Sequence, residues 1–326
     1  QLYDFENSRW NDSSAYYIFI HDSNDTLVDY ILIKDGSFLD EDVYDAYKHG
    51  VTQAKSELKN ANFYNRLWKP IADKIGDAKT VYISLGGVYN NINLNTLYNP
   101  KSGKYLLEEK DIRVVNSARD FILMKERKTK NYSSNTAALF GFPNYDGTAT
   151  ATIDSTDYLA STRDLNSFWV DSLTRGGMKA KLLPETKTEV ENISATLNKN
   201  DWQVSSYLQN DASEENIKQL SSPRVLHIAT HGYFFEDVPK DLSNDRFMGM
   251  DRQTVVQNPL LRSGLLFTGA NKTLQGNETK GENGLLSAYE AALLNLNETE
   301  LVVLSACETG RGEVKNSEGV YGLRKA

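Results

Sequence analysis

Two residues of this chain have the chemistry of a nucleophile and its base: Cys307, the single cysteine, and His231, one of four histidines. Cys307 ends the apolar run ELVVLSA (300–306), and His231 follows VLHIAT (225–230). A thiol with a pKa of about 8.5 is only slightly ionised at neutral pH, and a nearby imidazole raises the share of thiolate that attacks a carbonyl carbon. Gly232, directly after the histidine, has no Cβ, so its N–H can approach a substrate closely; with the N–H of Cys307 it can hold a developing oxyanion. The same residues also fit a plainer description, a buried thiol serving as a small hydrophobe and a His-Gly turn at a strand end. Spacing alone leaves both open.

The remaining candidates rank lower. His227 lies inside its strand and reads as a core group, His21 sits at a hairpin turn and His49 at a helix end. No second ligand stands two to four positions from His231 or Cys307, so no metal is expected. The Gly86-Gly87 pair lacks the surroundings of a phosphate-binding loop and reads as a bare turn, and no cofactor is implied. Glu308 follows the cysteine, with Glu313 and Glu318 close by. They fit either an acidic pocket for a basic substrate residue or ordinary solvated glutamates.

These groups need elements to carry them. Segment 15–36 has two β-rich runs around an Asn-Asp turn, a hairpin. A helical stretch follows to about Trp68, interrupted by Pro70, and KTVYIS runs as a strand into a Gly-Gly, Asn-rich loop. The charged stretch 125–136 marks a boundary between two lobes. Beyond it, ALFGFPNY (138–145) is a buried strand closed by Pro143, and 146–180 is a long surface loop. Segment 183–197 is a helix with Val190, Ile193 and Leu197 on one face, and Thr186 stands three before Glu189, the spacing of a capping box. QVSSYLQ is a strand and SEENIKQL a capped helix. VLHIAT is a strand, LLFTG (265–269) a further candidate, LSAYEAALLNL (286–296) a helix and ELVVLSA a near-continuous apolar strand. Apolar strands alternating with helices predict a parallel sheet covered on both faces. Reactive groups in such sheets sit beyond the carboxyl ends of the strands. If VLHIAT and ELVVLSA are neighbours, the imidazole and the thiol face one another.

Composition excludes some functions. With 40% hydrophobic and 25% charged residues in 326, the chain reads as an ordinary globular protein. Its net charge of -8, with both signs interspersed, argues against nucleic acid as a direct ligand. No apolar stretch reaches the roughly 20 residues of a membrane span, and the first residues lack the features of a secretory signal. One cysteine fits a reducing compartment, so the expected location is cytoplasmic, with no membrane partner.

The motifs LHIATHGYF (226–234) and LVVLSACETGRGEVKNSEGVYGLRKA (301–326) resemble the CHAT family, caspase-like domains related to caspases and separase. YISLGGVYNNINLNTL (82–97), LPETKTEVENI (183–193) and NPLLRSGLLFTGAN (258–271) match it as well, so the likeness covers nearly the whole chain. The resemblance implies a caspase-like, mostly parallel sheet with helices on both faces over 131–326, preceded by a smaller, degenerate α/β lobe over 1–130. It implies a regulated cysteine endopeptidase, with His231 as general acid/base and Cys307 as nucleophile, that cleaves a partner protein. Such domains are commonly held inactive until a repeat domain or activating partner senses a signal, and some act in bacterial defence. A non-enzymatic caspase-like scaffold is the alternative, and a thiol hydrolase of small acyl substrates a third. The family pattern continues with further strands after YGLRKA, so truncation or processing near Ala326 is expected.

Overall fold

The computed structural model describes residues 3–4, 9–10, 13–22, 27–52, 61–117, 119–122, 134–147, 179–234, 246–247, 250–277, 281–306, 313–315 and 319–323. The chain divides into two compact units, one formed by 1–128 with 314–319, the other by 129–313 with 320–326.

In the first unit, β1 (Tyr16–His21) and β2 (Val28–Ile33) form the expected antiparallel hairpin, with Phe19 opposite Tyr30. Tyr16, Ile18, Ile31 and Ile33 turn inward onto a core built around Leu67 and Trp68, while Tyr17 and Phe19 face solvent, the period-2 alternation of a half-buried ribbon. Helix α1 spans Tyr44–Thr52. Pro70 does not interrupt the next helical run. A π-helical turn over Tyr64–Trp68 passes directly into α2 (Lys69–Ile75), where Pro70 occupies the first turn. The Lys69 N–H bonds back to the Tyr64 carbonyl, so the missing proline donor falls where an N–H is dispensable.

Strand β3 (Thr80–Ser84) pairs in parallel with β4 (Asp111–Val115). The Gly-Gly turn after β3 has a packing reason. Gly87 has φ +55°, and a Cβ there would lie 2.4 Å from the Tyr16 hydroxyl oxygen, which accepts the Val88 N–H at 2.8 Å.

The second unit is built on β5 (Thr136–Pro143), α3 (Pro184–Asn198), β6 (Gln203–Gln209), α4 (Glu214–Lys218) and β7 (Val225–Ala229). They are followed by β8 (Gly232–Phe234), β9 (Ser263–Leu266), β10 (Leu285–Ser287), α5 (Ala288–Ala291) and β11 (Leu301–Ser305). A four-stranded parallel sheet runs in the order β6-β5-β7-β11. One face, through Ala137, Leu139 and Val225, meets Val190, Ile193 and Leu197 of α3. Ala138, Phe140, Leu226 and Ile228 turn to the other face, against Ile217 of α4 and Ala288 of α5. Helices therefore cover both faces, as expected for a parallel sheet. A smaller antiparallel sheet, β8-β9-β10, adds Leu265 and Leu286 to that second core, so the LLFTG segment belongs there and not to the parallel sheet.

Helix α3 comes unusually close to β5, because a Cβ on Gly141 would lie 2.7 Å from Val190 Cγ2 and 2.8 Å from the Thr186 carbonyl oxygen. Its expected capping box does not form. Leu183 is the residue before the helix and Pro184 opens it, so Thr186 lies within the first turn. The Thr186 hydroxyl donates to the Leu183 carbonyl at 2.7 Å and accepts the Phe142 N–H at 2.9 Å. Two further expectations change. Segment 286–296 is helical only over α5, capped by Ser287 and Glu290, because Leu285–Ser287 are taken up by strand pairing. β11, for all its apolar sequence, is an edge strand among the described residues, with Leu301 51% and Val302 43% exposed. Among the described residues no helix is long and apolar enough to cross a membrane. The surface loop expected over 146–180 lies mostly outside the described residues.

Candidate active site

Strands β7 and β11 are direct neighbours, with Ala229 opposite Ser305, and the ladder runs one step further as the Thr230 N–H donates to the Ser305 carbonyl at 3.3 Å. His231 stands at the carboxyl end of this pair, between β7 and β8. Cys307 and Glu308 lie outside the described residues; along the chain Cys307 is two residues beyond Ser305.

The backbone of His231 is fixed on both sides. Its N–H donates to the Tyr145 hydroxyl oxygen at 3.4 Å, and its carbonyl accepts the Leu266 N–H at 2.9 Å. Thr230 donates its hydroxyl to the Leu266 carbonyl, so towards Tyr145 it accepts, and the phenol proton of Tyr145 points to Thr230 Oγ1 at 2.8 Å. Complete burial pushes the Tyr145 hydroxyl well above its usual pKa, which keeps that proton in place.

The imidazole is 8% exposed and lies against the Tyr145 ring, with centroids 5.3 Å apart. Its Nε2 is 2.8 Å from the carbonyl oxygen of Lys181. A carbonyl only accepts, so Nε2 carries the proton and Nδ1 is the basic nitrogen of the neutral ring. Burial lowers the His231 pKa below its ordinary value, with the Lys181 carbonyl pulling the other way, so the ring is neutral at pH 7.

Gly232 faces Leu265 across β8 and β9. Because the flanking bond runs from Leu266 to the His231 carbonyl, Gly232 and Leu265 form a non-hydrogen-bonded pair, and the Gly232 N–H points away from β9. Among the described residues β8 is the edge of its sheet, so that donor points away from the sheet.

His227, read from the sequence as a core group, is 5% exposed, and burial lowers its pKa while Glu189 opposes the shift. Its Nε2 comes within 3.0 Å of Glu189 Oε1, off the line of a well-directed hydrogen bond. The other oxygen of Glu189 accepts the Ser305 hydroxyl at 3.3 Å, tying α3 to the end of β11. His21 ends β1 and His49 lies in the last turn of α1. Glu189, Tyr145 and the Lys181 carbonyl were not singled out by sequence. Glu189 has the spacing of a capping residue, and a backbone carbonyl leaves no signature.

Among the described residues, Glu214, Glu282 and Glu290 form the one group with metal-ligand spacing, their oxygens within 4.8 Å of one another. Lys218 Nζ already stands among them at 2.6, 2.7 and 2.9 Å, filling the place a cation would take.

Residues 60–326 match the model of the CHAT domain, and the chain belongs to the CHAT domain family. That family is caspase-like, and the four-stranded parallel sheet with helices is consistent with it. A comparison with curated proteins returns no match.

Proposed function

We propose that this chain is a regulated cysteine endopeptidase that cleaves a partner protein through Cys307 and His231. The observation that carries the reading is the pairing of β7 with β11 in register, which puts the segment entering Cys307 beside the segment entering His231. His231, with Nε2 committed to Lys181, has Nδ1 to take the thiol proton. The thiolate then attacks the scissile carbonyl carbon, forming a C–S bond while the carbonyl electrons move to oxygen. Outward-pointing Gly232 N–H and the Cys307 N–H are the donors for that oxyanion. Collapse of the intermediate breaks the C–N bond, with the imidazolium returning its proton to the leaving amine. Water activated by the same imidazole then cleaves the thioester.

The N-terminal unit, with no cysteine among residues 1–128, is read as a non-catalytic α/β lobe, and activation as dependent on a repeat domain or partner. The single cysteine supports a reducing, cytoplasmic setting. The test is an electrophilic peptide probe and a peptide library, each applied to the wild type, Cys307→Ala and His231→Ala. Labelling and cleavage are expected in the wild type alone. Cleavage that persists in either variant refutes the dyad, and absence of both in the activated wild type points to a non-enzymatic module.

A further inference from the structure

Asn271 bonds to Tyr145 and to Ala180, the residue next to Lys181, and so braces both supports of the His231 imidazole. It is 2% exposed and follows Ala270 at the start of a short helix after Gly269. Its backbone N–H donates to the Tyr145 carbonyl at 2.9 Å, fixing the residue whose ring lies against His231. Its side chain engages Ala180 twice, Oδ1 accepting the Ala180 N–H at 2.6 Å and Nδ2 donating to the Ala180 carbonyl at 3.1 Å. The second proton of Nδ2 goes to Asp146 Oδ1 at 2.8 Å. Ala180 immediately precedes Lys181, whose carbonyl holds His231 Nε2.

Residues 179–183 form no strand, so a side chain supplies the two bonds that a neighbouring strand would otherwise make. Only an amide offers this combination at that size, with one acceptor and two donors on one planar group. An aspartate keeps the shape but cannot donate, and would set its carboxylate against the Ala180 carbonyl and Asp146. A serine lacks the reach for both sides of Ala180.

We infer that Asn271 is the positioning residue for His231, assembling the Tyr145 ring and the Lys181 carbonyl into a seat that fixes the imidazole as the Nε2–H tautomer. The tautomer claim stands on the geometry alone; its consequence for Cys307 rests on the peptidase reading above. The test compares the wild type with Asn271→Ser, Asn271→Asp and His231→Asn, with folding checked by circular dichroism. Two readouts are taken: the His231 tautomer by NMR of 15N-histidine-labelled protein, and the rate of alkylation of the single cysteine by iodoacetamide.

Folded Asn271 variants are expected to lose the fixed Nε2–H form and to alkylate more slowly, by on the order of tenfold, as does His231→Asn. A folded Asn271→Asp or Asn271→Ser that keeps the wild-type tautomer overturns the inference. If neither variant folds, Asn271 is a structural residue and the inference is equally overturned. Should His231→Asn alkylate as fast as the wild type, the peptidase reading fails, while the tautomer readout still decides the role of Asn271.

Discussion

His231 Nε2 and the Lys181 carbonyl oxygen stand 2.8 Å apart in a setting where the imidazole is 8% exposed. One hydrogen bond to a main-chain atom thereby decides which ring nitrogen is basic. A neutral imidazole held this way keeps Nδ1 as its proton-accepting nitrogen.

Burial also makes His231 a term in the pH dependence of folding. Its folded pKa lies below the ordinary value of 6.5, so between those two values the unfolded chain binds more protons than the folded one. Stability from this residue is therefore fully present above pH 6.5 and falls as the pH drops through the folded value. His227 contributes with the same sign. Glu214, pushed up to about 7 by burial, contributes with the opposite sign. Melting temperatures of the wild type and His231→Gln at pH 7.5 and pH 5.5 separate these terms. The acid-induced drop is expected to be smaller in the variant, and an equal drop rejects the assignment.

Thr186→Val tests the link between α3 and β5. Valine keeps the volume but removes the acceptor of the buried Phe142 N–H. The expected loss is about 1–3 kcal/mol in urea unfolding, the cost of an unpaired buried donor. A variant as stable as the wild type contradicts it.

Lys218→Met tests the carboxylate group. Without the ammonium, three carboxylates within 4.8 Å repel one another. Glu214 is buried, but Lys218, Glu290 and Glu282 are 28%, 32% and 42% exposed and partly screened, so a loss below that of a fully buried broken pair is expected, about 2–3 kcal/mol at pH 8. The deficit should shrink on acidification to pH 6, as protonation of Glu214 relieves the repulsion. A deficit that does not change with pH points instead to lost packing of the lysine stem.

Much of the second unit was legible because its elements obey strong local rules. β5 ends at Pro143 as written, and Val190, Ile193 and Leu197 share the buried face their spacing predicts. Both β7 and β11 are readable as apolar strands, whereas their adjacency, left conditional by the sequence, comes from the pairing itself. Where tertiary demands compete with local preference, the reading fails. Glu189 has the spacing of a cap, but His227 and Ser305 draw it across the sheet. Pro70 has the chemistry of a helix stop, but the π turn before it removes the need for its N–H. Residues 286–296 have helical periodicity, yet β9 claims the first of them for its ladder. Lys181 could not have been found at all, since any residue has the same carbonyl. Of the expected reactive pair the described residues include His231 but not Cys307, and the pocket candidate Glu308 lies outside them as well.

Gly141 gives the absence of a methyl group an influence far from where it is missing. Any side chain there would press on the main chain of Thr186, which cannot swing aside as a long side chain would. The helix would be levered off the sheet as a rigid bar, carrying Glu189 away from Ser305 and loosening the strand end that leads to the thiol. In a screen for loss of folding, this glycine would therefore surface beside the buried core residues although it has no side chain of its own.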